Sequence, residues 1–159
     1  MLYQSKVDTS NVFFATELAT GNSILRRPKK WKCKLPEMLI GAYLIMPLTS
    51  AKLLQSESYH MNNCCLDYHQ QCAELSYCLF SLRSRSGERL ATLGLNCIDG
   101  YWRFDQCAGP SNTEVLEETR TYLDEDGMLQ EELFATELYY VAHEVVRLMN
   151  AAGWQKNAH

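Results

Sequence analysis

The run His60-Met61-Asn62-Asn63-Cys64-Cys65 ends on two thiols, and the first stands where polar turn residues hand the chain to the start of a helix. A thiol in a helix's first turn lies beside backbone N–H groups without intrahelical acceptors and at the positive end of the helix dipole. Both favour the thiolate, so Cys64 is the candidate nucleophile. A thiol enzyme also needs a base beside the nucleophile and a group that orients that base. His60, four residues earlier, is the candidate base, although the break at Met61-Asn62-Asn63 removes any guarantee of helical i,i+4 adjacency. Gln106 and Asn112 could orient it or donate to an oxyanion. Against this stands the ordinary behaviour of these residue types. Free cysteine is usually a small buried apolar group, and amide side chains at a strand-to-turn junction usually satisfy backbone groups. The structural role is the expectation for Cys64, Gln106 and Asn112.

Two further patterns bear on chemistry. Cys65, His69 and Cys72 fall at i, i+4 and i+7, which aligns three soft ligands on one helical face, but no Cys-x-x-Cys pair or distant partner pair completes a zinc set. No metal and no cofactor is expected, and neither a phosphate-binding glycine loop nor a dinucleotide fingerprint is present. The segment Arg26-Arg27-Pro28-Lys29-Lys30-Trp31-Lys32-Cys33-Lys34 carries six basic residues in nine with a tryptophan among them. Cations interleaved with an aromatic suit a phosphate backbone and stacked bases, so Arg26, Arg27, Lys29, Lys30, Trp31, Lys32 and Lys34 are the candidate nucleic-acid contacts. The competing reading is a solvated basic edge.

The elements that must position these residues follow from composition and periodicity. The 159 residues, 47% hydrophobic and 21% charged, suit one domain with a real core. The seven cysteines are odd in number and irregularly spaced, unlike a secreted disulfide framework. With no leader-like start and no membrane-length apolar run, a soluble, cytoplasmic protein is expected. The net charge of −4 is divided unevenly: residues 1–35 hold seven Lys/Arg against two acids, and residues 113–147 hold ten acids against two arginines.

Residues 1–35 read as a basic N-terminal arm. Met38 to Met46, closed by Pro47, reads as one buried central strand. Thr49 or Ser50 caps a helix to about Tyr59, and a second helix runs from Cys64 to about Leu75 with Cys64, Tyr68, Cys72 and Leu75 on one face. From Ser76 the period changes to two. Tyr77–Arg83, Arg89–Cys97 and Tyr101–Cys107 form an antiparallel meander turned by Ser86-Gly87 and Asp99-Gly100. Thr113 is expected to cap an acidic helix, and a long helix follows Asp126-Gly127, its apolar stripe running from Phe134 to Ala152 with His143 and Tyr139 beside it. The fold class is α+β: a three- to four-stranded antiparallel meander packed with an N-terminal helix pair and a long C-terminal helix.

Several residues of this stretch together resemble the PcfJ-like family. They are Pro47-Leu48-Thr49-Ser50-Ala51, Leu54, Glu57, Met61, Cys64, Tyr68, Ser81-Leu82-Arg83, Ala91-Thr92-Leu93, Trp102, Gln106, Gly109 and Asn112. The resemblance spans roughly 43–112 and implies a family found on conjugative plasmids, phages and bacterial chromosomes. It places a core at 36–112, flanked by the arm and by an acidic helical section at 113–159. It also implies a histidine where Asn63 stands, a glutamate where Gly94 stands and a basic residue where Ala108 stands. Cys64, Tyr68, Arg83, Thr92, Gln106 and Asn112 are kept.

Two functions remain open at this point. In one, the chain is a non-enzymatic accessory or inhibitory protein of a plasmid or phage, holding a nucleic-acid or nucleoprotein partner through its basic arm, its acidic section or both. In the other, it is an enzyme using Cys64. Three departures at ionisable positions favour the first.

Overall fold

The computed structural model describes residues 29–157; Arg26, Arg27 and the rest of the arm before residue 29 lie outside it. Five strands form one antiparallel sheet in sequence order: β1 (Met38–Ile40), β2 (Tyr43–Pro47), β3 (Tyr77–Ser84), β4 (Arg89–Ile98) and β5 (Tyr101–Ala108). The meander reading holds within a residue or two at each boundary, because strict alternation of apolar and polar residues can bury a strand only one way. Asp99 and Gly100, both left-handed, close the two-residue turn between Ile98 and its partner Tyr101.

Alternation divides the sheet into two unlike faces. On one, Ile45, Phe80, Leu82, Leu93, Leu95 and Trp102 pack against Val141, Ala142, Val145 and Met149 of the long helix α3 (Glu137–Asn157). Asn150 of the same helix behaves like an extra strand for the exposed edge of β5. Its Oδ1 accepts from Trp102 N at 2.8 Å and its Nδ2 donates to Trp102 O at 2.9 Å. On the other face lie Tyr77, Leu79, Ser81, Thr92 and Gln106, covered by α1 (Ala51–Met61), a 3-10 turn (Cys65–Tyr68) and the short α2 (His69–Ala73). Ser50 caps α1 as expected, its Oγ accepting from Leu53 N at 3.1 Å.

Four expectations are corrected. The apolar run 38–46 is not one central strand. Gly41 and Ala42 turn it into the hairpin β1–β2, leaving β1 at the sheet edge. The helix expected from Cys64 to Leu75 is a 3-10 turn and a five-residue helix, with Cys64 preceding the first of them. No helix follows Thr113. Residues 113–135 instead carry a second, two-stranded sheet, β6 (Glu117–Leu123) and β7 (Leu129–Ala135). The β-branched and aromatic residues Thr119, Thr121 and Tyr122 favour extended backbone. Asp124 then fixes the turn, its Oδ1 accepting from Asp126 N and Met128 N. The long helix accordingly begins at Glu137, not near residue 128, and continues through Gly153. Among the described residues, no helix is long and apolar enough to cross a membrane.

Candidate functional site

Between α1 and the sheet lie five buried polar side chains, Glu57 and Asn63 from the helix and the turn after it, and Ser81, Thr92 and Gln106 from the sheet. Buried polar groups persist only where they are hydrogen-bonded, and these fall into two connected clusters. The first centres on Glu57, wholly buried on the inner face of α1 between Leu54 and Met61. Its Oε1 accepts from Arg89 Nε at 2.8 Å, its Oε2 accepts from Thr92 Oγ1 at 2.8 Å, and Arg83 Nη2 lies 4.0 Å away. Arg83 and Arg89 are cross-strand partners at a register shift, which is how two guanidinium groups reach one carboxylate. Asn63 Nδ2 donates to the Thr92 hydroxyl at 3.1 Å, and its Oδ1 accepts from Cys65 N at 3.1 Å. The amide at the position where the resemblance places a histidine thus ties the sheet to the turn that carries Cys64.

The second cluster centres on the Tyr77 hydroxyl, which donates to Asp105 Oδ2 at 2.6 Å and accepts from Gln106 Nε2 at 3.0 Å. Gln106 also donates to Tyr68 Oη at 2.9 Å, and the rings of Tyr68 and Tyr77 stack with centroids 4.5 Å apart. Adjacent residues of a regular strand point to opposite faces. Asp105 and Gln106 meet one hydroxyl because the pairing shifts there, Gly94 opposing Gln106 and Leu95 opposing Phe104, which leaves Asp105 as the extra residue of a bulge. Burial first, then the bond to Asp105, pushes the Tyr77 phenol above its ordinary pKa. A Cβ on Gly94 would lie 2.1 Å from Tyr77 Oη. The tyrosine hydroxyl therefore fills the space beside position 94, where the resemblance places a glutamate.

Cys64 is buried, packed against Ala108 and Tyr68. His60 is exposed at the end of α1, its Nδ1 bonded back to Ser56 O at 2.8 Å and its ring edge-on to Tyr59. Gln106 is engaged by two phenols. Asn112 sits in the 3-10 turn Pro110–Asn112, left-handed like Ser111, and its Oδ1 has no hydrogen-bond partner. That turn meets the end of α1 through Asn62 Nδ2 and Ser111 Oγ at 3.0 Å. A Cβ on Gly109 would come within 2.6 Å of both Thr113 and Val115, so close packing explains that glycine. The fold thus gathers Cys64, Tyr68 and Gln106 but directs the His60 imidazole to its own helix. Among the described residues, the one buried carboxylate, Glu57, is held by Arg89 and Thr92.

The remaining candidates are placed as follows. Burial, with the neighbouring Glu57 charge next in weight, pushes the Cys65 thiol up to about 12, and burial does the same for Cys72. The His69 ring lies against Trp31. Among the described residues, no three His, Cys, Asp or Glu side chains group as metal ligands. Lys29, Lys30, Lys32 and Lys34 are all exposed. Trp31 between them is half-buried, with its Nε1 donating to Leu48 O at 3.1 Å and its backbone N to Thr49 O at 2.9 Å. Sequence reasoning gave no role to Glu57, Tyr77, Arg89 or Asp105. Only Glu57 left a signal, as a carboxylate in the apolar 54–57–61 stripe of α1.

A family model described as PcfJ-like protein matches residues 19–123. That span takes in the basic segment, the whole five-stranded sheet and β6. No curated protein and no solved structure matches.

Proposed function

The chain belongs to the PcfJ-like family, and from that premise we propose that it is a non-enzymatic accessory or inhibitory protein of a mobile element, holding a nucleic-acid or nucleoprotein partner through its basic segment. The observation that carries this reading is the presentation of Lys29, Lys30, Lys32 and Lys34. Trp31 anchors the segment between them to the body, and Lys29 O accepts from Ala51 N, so the lysines are carried on an anchored segment. Fixed cations bind phosphates without first losing the freedom of a loose arm. Arg26 and Arg27, just before the described residues, add to the same charge. The buried polar face supports a non-catalytic reading, because its carboxylate, hydroxyls and amide are committed to one another and the Cys64 thiol is covered.

Fluorescence anisotropy with labelled single-stranded and duplex oligonucleotides at low salt tests the proposal. Binding is expected. Replacing Lys29, Lys30, Lys32 and Lys34 by glutamine should weaken it and flatten the salt dependence by about three in log–log slope, at roughly 0.7 to 0.9 per lost phosphate contact. Absence of binding by the unaltered chain, or an unchanged slope in the variant, would refute it.

A further inference from the structure

The β6–β7 hairpin is a two-stranded sheet standing apart from the five-stranded one, and such a hairpin is marginal in water without a surface to cover it. All seven residues of β6 and the first five of β7 are exposed. Cross-strand partners share a face, and the register sorts these side chains. Glu118, Arg120, Phe134 and Glu132 lie on one face, where Arg120 pairs with Glu118 and lies over the Phe134 ring. Leu123, Leu129 and Leu133 lie on the other, 67%, 68% and 64% exposed, with Thr119 and Thr121 between them and Met128 beside them in the turn. Glu131, opposite Thr121, stands between Leu129 and Leu133 on this face, Glu117 lies at its base, and Asp124, Glu125 and Asp126 close its tip. Residues 114–132 hold eight acids and one arginine. A surface that covers this face must offer apolar groups to its leucines and basic groups to the carboxylates among and around them.

The chain itself carries exposed basic and apolar residues within one short segment. Lys29, Lys30, Lys32 and Lys34 are exposed, and a few residues on, Pro36 and Leu39 are exposed as well, Leu39 at 53%. Among the described residues, no acid of the hairpin is paired with a lysine of its own copy's basic segment; Glu118 pairs with Arg120. We propose that the hairpin is a docking arm for a second copy of this chain. Its leucines and carboxylates seat on that copy's basic segment and Leu39, and a two-fold axis makes the exchange reciprocal and closed. Face-to-face pairing of two hairpins is disfavoured because it would bring two sets of carboxylates together. The proposal does not depend on nucleic-acid binding, but both use the same lysines, so bound nucleic acid and the docked arm exclude each other.

Sedimentation equilibrium of the full chain, without nucleic acid, tests it. A dimer is expected at low ionic strength, dissociating toward about 1 M salt, where the screening length falls to about 3 Å. Two charge variants on exposed positions probe the contact, one carrying Glu117→Lys, Glu125→Lys and Glu131→Lys, the other Lys29→Glu, Lys32→Glu and Lys34→Glu. With circular dichroism showing both folded, each alone should be monomeric, whereas their mixture should form a heterodimer, since both contacts then pair opposite charges. Leu129→Ser with Leu133→Ser should weaken the dimer at least tenfold. A wild-type monomer at every salt and protein concentration would overturn the proposal. So would a dimer that survives in both charge variants, or a mixture that stays monomeric.

Discussion

Removing the Glu57 carboxylate would leave Arg89 and the Thr92 hydroxyl without their acceptor and open a cavity under α1. Breaking a buried, hydrogen-bonded ion pair typically costs 3–5 kcal/mol. Arg89 retains some solvent contact and can rehydrate, so Glu57→Ala is expected to cost about 3 kcal/mol in urea unfolding, toward the low end of that range. A loss below about 1 kcal/mol would show that the cluster is not structurally coupled. Cys64 lies on the same face, packed against Ala108 and Tyr68. Cys64→Ala should cost on the order of 1 kcal/mol and leave partner binding intact once corrected for folded fraction. In the folded protein, alkylation should begin at Cys33, which is half-buried and whose thiol pKa is lowered chiefly by the hydrogen bond with Cys78, the two sulfurs lying 3.9 Å apart. Cys64 should resist until unfolding. Fast, selective modification of Cys64 with loss of function would restore the thiol-enzyme reading and make His60 the next residue to replace.

At the scale of elements, the two sheets differ in what they contribute. No residue of β6 or β7 belongs to the buried clusters, whereas Val115 and Leu116 before them pack on the main core. The hairpin's base is fixed by Thr136 N donating to Leu116 O at 2.9 Å and Thr136 Oγ1 donating to Val115 O at 2.6 Å. Replacing residues 118–134 by a short Gly/Ser linker should therefore leave the five-stranded body folded, changing the unfolding free energy by no more than about 1 kcal/mol. Cooperative melting with a large drop in midpoint would show that the hairpin shares in the core.

Across the whole molecule, the buried thiols make stability depend on alkaline pH. Cys65, Cys72 and Cys107 ionise at 9.0 when solvated and at about 12 in the fold, with burial the largest cause for each. Above pH 9 the unfolded chain releases protons that the folded chain retains. The stability associated with these thiols is complete below pH 9 and declines as pH rises to about 12. Each thiol removes roughly 1.4 kcal/mol per pH unit in that window. Urea midpoints followed from pH 8 to 11 should be flat at first and fall steeply beyond about 9. A midpoint independent of pH through that range would contradict the burial of these thiols.

Local pattern was sufficient wherever one periodicity had one physical outcome. The meander, the Ser50 cap and α1 were legible because alternating strands and a capped apolar stripe can bury their apolar residues only one way. The acidic stretch after Thr113 had no such constraint, since solvated charges suit a helix face and an exposed strand equally well, and the Asp124 turn decided it. The candidate site was legible as residue types but not as an arrangement. Glu57 lies 32 residues from Arg89 and 35 from Thr92, a pairing that no local period encodes. Asp105 meets Tyr77 only because a bulge breaks the alternation from which its direction would be read. Cys64 was a candidate nucleophile from its place beside a turn. Its burial against Tyr68 and Ala108, and the turning of His60 toward Ser56, were decided by how α1 docks on the sheet, because contacts between elements set side-chain environment.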